Sequence, residues 1–204
     1  MKLRKRLRGL YALTPDGGDS AELFAKVGAA LEGGVALLQY RRKQATREVR
    51  RIEAIELAKL CSQRGVPFIV NDDVALALEV AADGAHVGRE DAPVSEARKK
   101  LKGRILGASC YNDAAAAKAA VAAGADYVAF GSVFASPTKP AAPRAPLSLF
   151  AAGLGVPLCA IGGITLANAP QLIAAGADLL AVISDLFDAP DIAARARQYA
   201  KLFT

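Results

Sequence analysis

Two spacings of apolar and polar residues take turns along this chain. Short unbroken apolar runs bounded by Gly, Pro or Asp read as strands near 10–13, 35–40, 67–70, 84–87, 104–108, 126–130, 157–161 and 178–182. Between them, longer stretches rich in Ala, Leu and charge predict helices near 19–33, 47–64, 73–81, 94–101, 113–123, 147–153, 166–175 and 191–202. Strands that are apolar throughout, rather than on alternate residues, suit a sheet covered on both faces. A helix that returns the chain to the same end makes successive strands parallel. Strand–helix pairs that continue to the end without a break in composition predict an α/β protein, a single-domain (βα)8 TIM barrel over residues 10–204. A basic arm at 1–9 precedes it.

A weak internal repeat supports the barrel. Ala123-Gly124-Ala125-Asp126 resembles Ala175-Gly176-Ala177-Asp178, with fainter copies at Ala82-Asp83-Gly84-Ala85 and Glu32-Gly33-Gly34-Val35. Each places Gly where a helix gives way to a strand, a corner that a ring of βα units uses repeatedly. The competing layout is an open doubly wound sheet. That fold would carry a Gly-rich phosphate turn after its first strand, where this chain reads Thr14-Pro15-Asp16-Gly17-Gly18.

Composition narrows the picture. With no Trp and only 6% aromatic residues among 204, the core has to be aliphatic. The net charge of +6 is concentrated at the start, in Lys2, Arg4, Lys5, Arg6 and Arg8. That arm reads as a solvated tail rather than a surface for nucleic acid or membrane. Arg41, Arg42 and Lys43 add a second cluster that suits an anionic small molecule. Cys61, Cys110 and Cys159 are odd in number and far apart, so they indicate neither a disulfide frame nor a zinc site. Reduced thiols in a cytoplasmic protein are expected. No apolar segment of signal-peptide type follows the basic start, and no run of about 18 apolar residues is present to span a membrane.

In such a barrel the working groups gather at the C-terminal ends of the strands. Asp72 and Asp91 follow the third and fourth strands, where two carboxylates can hold a hard divalent cation and leave other positions to water and phosphate. Taken singly, each could instead cap the helix that follows. Gln39, Arg41 and Lys43 sit two apart, which at strand spacing points all three toward the mouth. Arg offers a planar fork and Lys a point charge to a phosphate. Asn71 follows the same third strand, and Ser109 follows the fifth. Ser136-Pro137-Thr138-Lys139 lies in a long Pro- and Ala-rich loop of the kind that forms lids. Gly162-Gly163 and Ser184 follow the seventh and eighth strands, where barrels often build a phosphate cup. The single His86 falls inside a strand and reads as a hydrogen-bonded barrel residue rather than a base. No Ser-His-Asp or Cys-His set is visible for acyl chemistry.

In this order the motifs resemble the thiamine-phosphate synthase (thiamine-phosphate pyrophosphorylase) family. The likeness runs through Tyr11-Ala12-Leu13-Thr14, Gln39-Tyr40-Arg41-Arg42-Lys43, Val70-Asn71-Asp72-Asp73, Gly84-Ala85-His86-Val87-Gly88 with Asp91, and Gly107-Ala108-Ser109. It continues in Ser136-Pro137-Thr138-Lys139, Ala160-Ile161-Gly162-Gly163-Ile164 and Val182-Ile183-Ser184. The resemblance implies a barrel enzyme that joins hydroxymethylpyrimidine diphosphate to thiazole phosphate, giving thiamine phosphate and diphosphate. It implies Mg²⁺ on Asp72 and Asp91. The pyrimidine diphosphate falls to Gln39, Arg41, Lys43, Asn71, Ser109 and Lys139, with Tyr40 and Arg42 in the same motif. The thiazole phosphate falls to Ser136, Pro137, Thr138, Gly163, Ile183 and Ser184. Arg41, Lys43, Ser109 and Lys139 would act on the departing diphosphate, and no protein nucleophile or base is required. Partners are these small molecules, with neither nucleic acid nor membrane, and a homo-oligomer is compatible with the sequence. The chain departs from the family pattern at Arg89, where Gln is common, at Tyr111, where His is, and at Ser132 and Ala135-Ser136. Two alternatives are weighed: a thiazole tautomerase-like paralogue, against which Tyr111 and the retained aspartates and Arg41/Lys43 argue, and a non-catalytic barrel that binds phosphorylated ligands, which the departures at Arg89 and Ala135-Ser136 keep open.

Overall fold

The computed structural model describes residues 7–135 and 144–204. Eight parallel strands close in sequence order: β1 (Gly9–Leu13), β2 (Leu37–Tyr40), β3 (Phe68–Asn71), β4 (Gly84–Val87), β5 (Ile105–Tyr111), β6 (Tyr127–Gly131), β7 (Leu158–Ile161) and β8 (Leu179–Val182), with β8 pairing back to β1. Around them run α1 (Ser20–Glu32), α2 (Arg47–Arg64), α3 (Val74–Glu79), α4 (Val94–Lys100), α5 (Ala114–Ala122), α6 (Ala169–Ala174), a short α7 (Ser184–Phe187) and α8 (Ile192–Lys201).

The helices begin where the sequence supplies an acceptor. Asp19, Thr46, Asp73, Asp113 and Asp191 each accept a backbone N–H from the first turn of the helix they precede. Each such cap is worth about 1 kcal/mol. Two expectations change. The stretch at 147–153 is a 3-10 turn over Leu147–Ala151, since Pro146 before it makes no side-chain cap bond. The helix expected at 166–175 begins only at Ala169, beyond a turn in which Thr165 N–H donates to Asn168 Oδ1.

The repeat has a structural cause. Asp83, Asp126 and Asp178 sit just before β4, β6 and β8. Their carboxylates accept the backbone N–H of Phe68 (2.8 Å), Leu106 (2.9 Å) and Leu158 (3.1 Å), each at or beside the start of the preceding strand. Gly124 and Gly176 take positive φ at the helix–strand corners, +102° and +109°, which a side chain would resist. These aspartates stitch the bottom of the barrel shut.

The core has two layers. Alternate strand residues pointing outward, such as Leu38, Val70, Val128 and Leu180, pack against the helices. Those pointing inward, including Leu37, Ile69, Cys159, Leu179 and the rings of Tyr11 and Tyr127, fill the barrel. The three cysteines are buried and free. Burial pushes the Cys61 and Cys110 thiols up to about 12 and Cys159 higher still. Arg8 docks on the far end of the chain. Its guanidinium donates to the Phe203 carbonyl (2.9 Å) and lies 5.4 Å from the Phe203 ring centre. The rest of the basic cluster, Lys2 to Arg6, lies outside the described residues. Among the described residues no helix is long and apolar enough to cross a membrane.

Candidate functional site

The mouth at the C-terminal strand ends begins with β2. Its period of two sends Leu37 and Gln39 inward and Leu38 and Tyr40 outward. Gln39 is only 2% exposed and donates through Nε2 to the Tyr11 hydroxyl (2.6 Å), so it lies within the barrel below the mouth. Tyr40 and Arg42, expected among the ligand-binding residues, face the helices instead. The Tyr40 hydroxyl donates to Glu53 Oε2 (2.6 Å), and Arg42 lies 3.5 Å from Glu53 Oε1 while donating to the Gly17 and Gly18 carbonyls. Glu53 is fully buried on α2 and also accepts from Ser20 Oγ (2.7 Å). With Gln39 turned in, strand geometry leaves its neighbour Tyr40 the outer face.

Arg41 and Lys43 do reach the mouth. Both are tied to Asp16 in the loop after β1. Arg41 Nη1 lies 2.9 Å from Asp16 Oδ2, and the Lys43 backbone N–H donates to Asp16 Oδ1 (3.0 Å). Thr14 clips the same loops together, accepting the Arg41 N–H at 2.8 Å. Lys43 Nζ then reaches Asp72 Oδ2 at 3.1 Å. The Thr14-Pro15-Asp16-Gly17-Gly18 run differs from a Gly-rich phosphate turn, and its position beside β2 gives Asp16 a role of its own.

Asp72 follows β3 in left-handed backbone, φ +62°, its N–H bonded to the His86 carbonyl (2.8 Å). Such a conformation costs a non-glycine residue about 1 kcal/mol or more and collects at functional sites. Neither candidate acid caps a helix. The cap of α3 is Asp73 and that of α4 is Pro93. Asp91 Oδ2 instead accepts the Gly88 N–H at 2.7 Å. Burial, reinforced by a hydrogen bond and like charge from Asp72, holds the Asp91 carboxyl above the usual carboxylate range against the pull of Gly88 N–H and Lys43. Two acids this close call for a shared proton or a cation. Among the described residues no third His, Cys, Asp or Glu joins them. A pair of hard oxygens with the remaining positions left to water and phosphate fits Mg²⁺ and does not fit a structural zinc cage.

Below the acids runs a polar chain that the sequence did not announce. The Tyr11 and Tyr127 hydroxyls lie 2.6 Å apart, Tyr127 reaches His86 Nδ1 (2.9 Å), and His86 Nε2 meets Ser109 Oγ (2.8 Å). Burial lowers His86 to about 4, so the ring is neutral near pH 7. Ser109 stands where the β5–β6 register shifts before Tyr111, with Asn71 at the end of neighbouring β3 beside His86. Tyr hydroxyls inside apolar strand runs, on the inward parity, were the only available signal.

Ser136, Pro137, Thr138 and Lys139 lie outside the described residues. Gly163 has φ +64°, and an added Cβ would overlap the Ala135 carbonyl oxygen. The chain's own backbone therefore requires glycine there, whatever binds nearby. Ile183 precedes α7 and packs on the inner barrel cluster. Ser184 opens that short helix and is exposed. Arg89 and Tyr111, two departures from the family pattern, touch: the guanidinium lies 4.8 Å from the ring centre.

The family model for thiamine monophosphate synthase matches residues 10–186. A thiamine-phosphate synthase of Aromatoleum aromaticum is 60% identical over 202 residues, covering 97% of each chain. One from Azoarcus is 56% identical over 203 residues, covering 98% of each. Among solved structures, thiamine phosphate pyrophosphorylase from Pyrococcus furiosus superposes with a TM-score of 0.86 at 32% identity, over 97% of this chain and 96% of that one. A 3-hexulose-6-phosphate synthase, at 19% identity and TM-score 0.72, shares the fold alone. With its closed barrel, its paired acids and relatives matched end to end, the chain belongs to the thiamine monophosphate synthase family.

Proposed function

We propose that the protein acts as a thiamine-phosphate synthase in thiamine biosynthesis, transferring a pyrimidinylmethyl group from its diphosphate to the nitrogen of a thiazole phosphate. The observation that carries this reading is the cluster of Asp72, Asp91, Lys43 and Arg41 on adjoining loops at the C-terminal ends of three successive strands. Asp72 and Asp91 would hold Mg²⁺, which supplies positive charge against the diphosphate.

Arg41, Lys43 and Lys139 take the charge that develops on the leaving oxygen, while Ser109 and Asn71 donate to the diphosphate from the ends of β5 and β3. The bond to the benzylic-type carbon breaks with both electrons going to diphosphate, and the thiazole nitrogen forms the new bond at that carbon. Ser136, Pro137, Thr138, Gly163, Ile183 and Ser184 belong to the thiazole phosphate side. Gln39 serves from below through Tyr11, and Tyr40 and Arg42 brace the loop that carries Arg41 and Lys43. No residue attacks substrate. This agrees with buried thiols kept protonated and with a His86 whose two nitrogens are already engaged.

Purified protein given both substrates and Mg²⁺ should release diphosphate and form thiamine phosphate in equal amounts, and chelation should stop it. Binding of both phosphorylated ligands without release would assign the protein to the non-catalytic alternative.

A further inference from the structure

The barrel interior holds five polar side chains in an unbroken row: Gln39, Tyr11, Tyr127, His86 and Ser109. The first four are almost fully buried, between 0% and 6% exposed. Gly107 makes room for the row, since a Cβ there would overlap the Tyr127 ring and crowd His86. An unused hydroxyl hydrogen in such a place costs about 1–3 kcal/mol, so each hydrogen has to find an acceptor.

The Gln39 amide gives the row a direction. Gln39 Nε2 donates to the Tyr11 oxygen. The Tyr11 hydrogen then has the Tyr127 oxygen as its acceptor, and the Tyr127 hydrogen has His86 Nδ1. A neutral imidazole that accepts at Nδ1 carries its hydrogen on Nε2, which points at Ser109 Oγ. Burial keeps both phenols protonated and the imidazole neutral, so no member of the row drops out near pH 7. The reverse row would turn the Gln39 carbonyl to Tyr11, and Ser109 would spend its hydrogen on Nε2.

We infer that this row locks His86 in the Nε2–H tautomer and so leaves the Ser109 hydroxyl hydrogen free for an anionic ligand at the mouth. Ser109 becomes a committed donor. Tyr11, Tyr127 and His86 are positioning residues that act through it without touching the ligand. A serine left to itself offers either a hydrogen or a lone pair. Here one lone pair is taken by the imidazole N–H, so the hydroxyl hydrogen is not spent on the ring and can turn to the mouth, as a diphosphate oxygen requires. The inference rests on Ser109 contacting the diphosphate, but the tautomer itself does not.

The chain has one histidine, so its ring nitrogens are read without assignment. In ¹⁵N-labelled whole protein at neutral pH, Nε2 should carry the proton and Nδ1 should be bare, before and after inorganic diphosphate and Mg²⁺ are added. Ser109→Ala should weaken diphosphate binding about tenfold, the loss of one charge-assisted hydrogen bond. Tyr127→Phe, which removes the donor to Nδ1, should shift the proton toward Nδ1 and weaken the same binding at least about threefold. Tyr11→Phe should shift the tautomer less. A wild-type proton on Nδ1, or a Tyr127→Phe protein with altered tautomer and unchanged diphosphate affinity, overturns the inference. Should Tyr127→Phe fail to fold, the wild-type tautomer decides. An Nε2–H tautomer in a protein that forms no thiamine phosphate would sink the proposed activity and leave the row intact.

Discussion

At the bottom of the barrel Asp83, Asp126 and Asp178 each accept a backbone N–H that begins or adjoins the start of the preceding strand. At the mouth, Asp72 and Asp91 face one another, with Lys43 3.1 Å from Asp72 and drawing on Asp91 as well. The residue type is the same and so is the neighbourhood of strand ends. The bottom acids are spent on closing the barrel, which stabilises it. The mouth acids are held against like charge, which costs the protein stability and is the arrangement a cation would relieve.

The sharpest test of this contrast is to remove the mouth acids. Asp72→Ala or Asp91→Ala should lower Mg²⁺-dependent turnover by about a thousandfold or more, because the charge they hold is worth several kcal/mol to the leaving group. Asp91→Asn should lose activity as well, yet melt higher than wild type at neutral pH. A carboxyl whose folded pKa is raised contributes stability at low pH and loses it as pH rises through that value, and Asn removes the loss. A lower melting temperature would place Asp91 with the stitching acids.

The next largest effect concerns His86, which lies between the two ends. Its folded pKa of about 4 is below the ordinary 6.5. The unfolded chain therefore takes up a proton first, and stability falls as pH drops from 6.5 to 4, by roughly 3 kcal/mol in all. The imidazole resonances should titrate near pH 4, and denaturant midpoints of wild type and His86→Gln should converge as the solution is acidified. A titration near 6.5 would show a ring open to water.

At the bottom, Asp126→Ala should cost about 2 kcal/mol of stability, leaving both the Leu106 N–H and the Arg98 guanidinium without this carboxylate. Turnover per folded molecule should be unchanged. Activity lost in proportion to no change in stability would erase the distinction between the ends. The smallest effect belongs to Arg89→Ala, which removes one cation–π contact from Tyr111. Stability should change by about 0.5–1 kcal/mol or less, measured by chemical denaturation.

Most of the barrel could be read from the sequence because its cause is local: apolar runs of strand length, Asp and Thr caps, and a repeated Gly-containing corner. The start of β1 moved one residue, to Gly9, and α7 went unseen because four residues leave no periodicity. In the site, Arg41, Lys43, Asp72, Asp91 and Ser109 could be placed because topology alone carries strand ends to the mouth. The orientation of Tyr40 and Arg42 could not, since a motif gives membership and not the parity of the strand beneath it. Asp16 and the tyrosines were hidden for another reason: their partners are far away in sequence, 25 residues for Asp16 and Arg41, 116 for the two hydroxyls. Gly163 could be read either as a cup for phosphate or as room for backbone, and only the position of Ala135 separates the two.

The ion pairs that hold Arg41 on Asp16 and Lys43 on Asp72 also bear on how the site fills and empties. Both are partly open to water, and such pairs are worth about 1 kcal/mol or less. An arriving anion therefore does not meet bare cations. It exchanges with an internal carboxylate at small cost, and on leaving it is replaced by the same carboxylate. On the proposed assignments, a positive ion on Asp72 would free Lys43 for an anion, and an anion on Lys43 would free Asp72 for the positive ion. Each would then raise the affinity of the other by the same factor, a thermodynamic linkage carried by one 3.1 Å contact.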